Sequence, residues 1–142
     1  MNLKTSLIQL QCEMVAERNL VNPKEITWLQ YDILYKIDKE GEILPSDLSL
    51  VLGVSRTKLS KALKGLKEMG YIEQFPNKLD GRELYTTITN KGESLLESIF
   101  ENHNNIYKIA LKSFTKDEQK EFIHLSSILS NELKKSRIDQ NE

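Results

Sequence analysis

Between Ser55 and Met69 the chain places Arg56, Lys58, Lys61, Lys64 and Lys67 against one acid, Glu68, a net of +4 in a chain whose total is −1. The remaining residues therefore sum to −5. Positive charge gathered on one short stretch of an otherwise acidic chain is the footprint of a phosphate-binding surface. A solvated lysine-rich face is the plainer reading, and composition alone does not separate the two. Catalytic chemistry has no comparable signal. A nucleophile beside a base, paired carboxylates and a glycine-rich phosphate loop are all missing, and most of the six glycines fall at turns and helix ends. The single Cys12 excludes an internal disulfide framework and CxxC metal sites. His103 and His124 lack a second histidine or cysteine at ligand spacing, so no metal and no cofactor is expected.

The stretch Leu44 to Gly92 supplies the elements that position these cations. Pro45 and Ser46 suit the start of a short helix, with the serine oxygen available as a cap and Leu48, Val51 and Leu52 forming an apolar face. Gly53 can take the left-handed conformation that stops it, and Val54 packs the corner. Ser55 then caps a second helix in which Leu59, Ala62, Leu63, Leu66 and Met69 recur at spacings of three and four. At 100° per residue Thr57, Lys61 and Lys64 face away from that stripe, flanked by Lys58 and Ser60. Gly70 ends the helix. Tyr71 to Phe75 and Leu84 to Thr89 read as two strands around Asp80-Gly81, a strong turn signal. A hairpin directly after a helix-turn-helix is a wing. Arg82 at its tip suits the narrow minor groove of DNA, with Asp80 placed to hold the guanidinium, while the preceding helix occupies the major groove.

The run LGVSRTKLSKALKGLKEMGYI, the pair Asp80-x-Arg82 and the exit from Leu84 to Gly92 together resemble the winged helix-turn-helix of the MarR family of bacterial transcriptional regulators. The helices outside this core fit the family in number and order. The resemblance implies a mainly α fold with a small β-hairpin wing, flanked by N- and C-terminal dimerisation helices. It implies a homodimer whose two reading helices reach successive major grooves of double-stranded DNA. The residues expected to meet DNA are Ser46, Ser55, Arg56, Thr57, Lys58, Ser60, Lys61, Lys64, Asp80 and Arg82, with Ser55, Arg56, Thr57, Ser60 and Lys61 available to base edges.

The rest of the chain reads as helices. Residues 3–21 carry one apolar strip of Leu3, Leu7, Leu10, Met14 and Val21 and an opposite one of Ile8, Cys12 and Val15. A helix with two apolar faces needs two neighbours, one of them a partner subunit. Pro23 ends it. Thr27 and Gln30 have capping-box spacing and introduce a helix to about Asp38, with Trp28, Leu29, Ile33, Leu34 and Ile37 facing the core. Gly41 to Leu44 is a link able to add a strand to the wing sheet. Lys91 to Ser113 reads as one long helix closed by Phe114, and Thr115 with Glu118 starts a last helix carrying Phe122, Ile123, Leu125, Ile128, Leu129 and Leu133. The polar end from Lys134 is expected to fray. The expected division is therefore 1–22 with 91–136 as dimerisation region, 23–90 as DNA-binding region and 137–142 as a polar tail.

With 142 residues, 39% hydrophobic and 29% charged, the chain can bury a real core. No run approaches the roughly 18 apolar residues of a membrane span, and the N-terminus lacks a basic region followed by an apolar run, so a cytoplasmic protein is expected. Family resemblance suggests a small aromatic effector, for which Trp28, Tyr31 and Tyr35 are candidates; core or surface aromatics at helical spacing is the plainer reading. It also suggests Cys12 as a redox switch. Glu13 beside it discourages a thiolate, and a small packed hydrophobe is the alternative. A winged helix that binds another protein is the remaining alternative to a DNA-binding repressor.

Overall fold

The computed structural model describes residues 1–77, 79, 82 and 84–140. In chain order the elements are α1 (Leu3–Leu20), α2 (Trp28–Glu40), α3 (Pro45–Leu52), α4 (Arg56–Glu68), β1 (Ile72–Pro76), β2 (Leu84–Ile88), α5 (Asn90–Asn102), α6 (Asn105–Ser113) and α7 (Lys116–Asp139). The mainly α class with one antiparallel hairpin is as the sequence implies.

Local chemistry explains most boundaries. Thr27 and Gln30 form the expected reciprocal capping box on α2, and Thr115 and Glu118 do the same for α7. Gly53 sits at φ +66°, where a Cβ would be strained, and ends α3. Ser55 accepts the Lys58 amide and caps α4. The start of α3 differs from expectation: Leu44 occupies the cap position, no side chain caps it, and Pro45 alone marks the entry. Ser46 already lies one residue inside the helix, too late to act as its cap.

The core lies where α2, α3, α4 and the wing base meet. Ile33, Leu34, Ile37, Leu48, Leu59 and Leu66 are fully buried. Each such side chain contributes roughly 1.5–3 kcal/mol relative to exposure. Gln30 reaches across from α2 to donate to the Ala62 carbonyl of α4 at 3.2 Å. β1 pairs with β2 from Ile72↔Ile88 to Pro76↔Leu84, and Ile43 exchanges backbone hydrogen bonds with Thr86. The link before α3 thus adds a single bridge to the wing, not a full third strand.

Two further expectations are corrected. The stretch from Lys91 to Ser113 is not one helix. It breaks at His103 (φ −132°, ψ 45°) and Asn104 (φ −103°, ψ 27°) into α5 and α6. Asn102, Asn104 and Asn105, residues of low helix propensity, lie together at the break, and the Asn105 amide donates to the Glu17 carboxylate at 2.6 Å. Nor does the chain fray at Lys134. α7 continues to Asp139, and Lys134 pairs with Glu40 at 3.2 Å while Arg137 donates to the Val51 carbonyl at 2.9 Å. α1, α6 and α7 bury none of their residues within the chain.

Candidate nucleic-acid interface

α4 is fixed from beneath by Leu59, Ala62, Leu63 and Leu66, all buried. Its other side is open: Arg56, Thr57, Lys58, Ser60, Lys61, Lys64 and Lys67 are exposed, and Ser55 is exposed at its amino end. Packing of the apolar stripe therefore dictates which way the cations point. Gly65 lets α2 approach closely, because a Cβ there would lie 2.8 Å from the Gln30 amide nitrogen.

The wing stands beside this helix. Between them runs a groove of about 380 Å³ lined by Arg56, Ser60, Lys64, Lys67, Gln74 and Arg82. The structure thus brings Arg82, exposed on the wing, to the same groove as three of the expected α4 residues. Lys58, Lys61 and Thr57 lie outside the groove on the exposed side of α4, and Ser46 is half-buried in the first turn of α3. Asp80, and with it the expected Asp80–Arg82 pairing, lies outside the described residues. Lys67 and Gln74 are additions. Lys67 was visible as part of the basic run, whereas Gln74, whose amide donates to the Thr86 hydroxyl at 3.2 Å, gave no signal beyond its place in a strand.

The expected aromatic set divides. Trp28 and Tyr31 meet edge to face, with ring centroids 5.4 Å apart, and line a cleft of about 390 Å³ with Arg18, Glu17, His103 and Ile106. The Trp28 indole donates to the Arg18 and Val21 carbonyls at 3.1 and 2.9 Å, which fastens the end of α1 to α2. Arg18 lies over the indole, 5.0 Å from the ring centroid, and grips Asp32 through two hydrogen bonds of 2.8 and 2.7 Å. The hydrogen bonding with Asp32 raises the Arg18 pKa further, and burial raises that of the Tyr31 hydroxyl. Tyr35 is elsewhere, exposed, with the Lys39 ammonium 5.5 Å from its ring centroid. It does not line the cleft. Cys12 is exposed on α1, so within this chain it is not a packed hydrophobe. His103 packs against Trp28 and His124 is exposed; no cluster of three potential metal ligands occurs among the described residues.

No helix among the described residues is long and apolar enough to cross a membrane. Comparison with known proteins agrees with the geometry. The MarR family model matches residues 24–83, which take in α2, α3, α4 and the first wing strand β1. The multiple antibiotic resistance protein MarR of Salmonella typhimurium is 31% identical over 101 residues, 70% of each chain. The transcriptional repressor MprA of Escherichia coli is 32% identical over 117 residues, covering 78% of this chain and 66% of that protein. A crystal structure of mutant E. coli MarR complexed with operator DNA superposes with a TM-score of 0.65 at 25% identity, over 91% of this chain and 99% of the other. Relatives are thus named as a transcriptional repressor and as helix-turn-helix transcriptional regulators. The chain belongs to the MarR family of winged-helix transcriptional regulators.

Proposed function

We propose that the protein is a cytoplasmic repressor that binds a pseudo-palindromic operator as a homodimer. The observation that carries this reading is the groove between α4 and the wing, in which Arg56, Lys64, Lys67 and Arg82 converge while the apolar side of α4 is sealed into the core. α4 enters the major groove. Ser55, Arg56, Thr57, Ser60 and Lys61 face base edges, Ser46, Lys58 and Lys64 hold phosphates, and Arg82 enters the adjacent minor groove. The apolar surfaces of α1, α6 and α7 supply the dimer contact, residues 1–22 and 91–136 forming that region and 23–90 reading DNA. The likeness to MarR bound to operator DNA and to the repressor MprA supports the same reading. A small aromatic effector fits the cleft beside Trp28 and Tyr31, where its binding shifts the spacing of the two α4 helices.

The test is selection of bound sequences from random duplex DNA by the purified protein. The expected result is an enriched palindrome with half-sites about 10 base pairs apart, and a salt slope of roughly −0.9 per neutralised phosphate. Lys61→Ala is expected to lower affinity and relax preference at one position. Unselective binding that disappears with salt would make the α4 cations a solvated face.

A further inference from the structure

The last two turns of α7 lie against the helix-turn-helix, and one side chain there touches its turn. The Arg137 guanidinium donates through Nη2 to the Val51 carbonyl at 2.9 Å. That carbonyl is among the last four of α3, which have no partner within the helix. The neighbouring carbonyls are served by the turn itself: Gly53 donates to Leu50 at 3.3 Å and Val54 to Ser49 at 3.2 Å. Ser49 Oγ in turn donates to the Val54 carbonyl at 2.7 Å. Val51 is thus completed from outside, by a cation placed at the negative end of the α3 dipole. The Arg137 stem also covers the turn, its Cδ lying 3.5 Å from where a Cβ of Gly53 would sit. One turn earlier, Lys134 holds Glu40 at the end of α2.

We propose that Arg137 is a positioning residue for DNA reading. From the C-terminal helix it holds the carboxyl end of α3 and the Gly53 turn, which sets the angle at which Ser55 launches α4. The inference rests on the DNA-reading role proposed for α4.

The test compares wild type, Arg137→Ala and Arg137→Gln as full chains, with the operator selected by the wild type. Arg137→Ala is expected to bind about tenfold more weakly, the scale of one lost charge-assisted hydrogen bond. Its oligomeric state and salt slope stay unchanged, because Arg137 neutralises no phosphate. Arg137→Gln, which keeps a donor, is expected to recover part of the loss, and it replaces the alanine variant in every measurement if that one does not fold. Without DNA, hydrogen exchange at the Gly53 and Val54 amides is expected to speed up in Arg137→Ala. Unchanged affinity, or unchanged exchange at the turn, overturns the proposal. Weaker binding with a slope shallower by roughly 0.9 also overturns it, since Arg137 would then be a phosphate contact. If the wild type selects no DNA, the proposed function fails, while faster exchange at the turn still supports the brace itself.

Discussion

In the winged lobe Ile33, Leu34, Ile37, Leu48, Leu59 and Leu66 have 0–1% of their surface left to water, whereas α1, α6 and α7 bury no residue. The arms are not poorer in apolar side chains: Leu7, Leu10, Met14, Phe122, Ile128 and Leu129 sit at the same helical spacings and stay exposed. The lobe closes on itself because short links bring α2, α3, α4 and the hairpin round one centre. α1, α6 and α7 touch this centre only at their margins and bury no residue against it. The difference teaches that the lobe buries its apolar surface within one chain, while the arms leave theirs exposed, as the proposed dimer contact requires.

The largest effects test that contrast directly. Leu66→Ala is expected to cost about 2–5 kcal/mol of stability at every protein concentration, because its cavity opens inside the lobe. Ile128→Ala is expected to stay within about 0.5 kcal/mol in dilute protein, as exposed substitutions do. At high concentration its cost grows, and self-association weakens in sedimentation. Chemical denaturation of both variants across protein concentrations distinguishes the regions; an equal loss in dilute protein would abolish the distinction.

Packing tightness sharpens it at a smaller scale. At Gly92, in the first turn of α5, an added Cβ would lie 2.3 Å from the Tyr71 carbonyl and 2.7 Å from Ile88 Cγ1, both parts of the wing base. Gly92→Ala is therefore expected to cost about 1–3 kcal/mol through forced displacement. Ala16→Leu on α1 adds far more volume to an exposed position and is expected to change thermal stability of dilute protein by less than about 0.5 kcal/mol. If Gly92→Ala were neutral, the close approach of α5 to the wing would be looser than the backbone geometry implies.

The lobe was far more legible in the sequence than the arms, for the same physical reason. Inside it, residue type and local conformation agree: Gly53 takes the left-handed turn, Ser55 caps α4, and the Leu59 to Leu66 stripe is the buried one. These depend on neighbours a few residues away. The break at His103 and Asn104 interrupts an apolar period that continues on both sides, so periodicity alone carries the helix through it. Docking of Lys134 and Arg137 depends on Glu40 and Val51, more than eighty residues distant, which no local pattern encodes. The candidate DNA face divides the same way. The α4 cations follow from one helix, whereas the presence of Gln74 and Arg82 in one groove with them follows from how the wing stands beside it.

The smallest effect concerns a join between the regions. Glu25 lies between α1 and α2 at φ +74°, a left-handed conformation that non-glycine residues rarely hold, and the Tyr71 hydroxyl at the wing base donates to its carboxylate. That hydrogen bond, followed by burial, raises the Tyr71 hydroxyl pKa above its ordinary value near 10. The unfolded chain releases this proton first as pH rises, so above pH 10 the native state binds more protons and stability falls with increasing pH. The contribution is complete below pH 10 and lost as pH climbs through the raised value. Urea midpoints measured from pH 9 to 11 are expected to decline in the wild type and to decline less in Tyr71→Phe. The remaining slope includes Tyr31, whose hydroxyl is raised by burial beside the cleft. An identical decline in both proteins would mean that the hydrogen bond to Glu25 does not hold the Tyr71 proton in the native state.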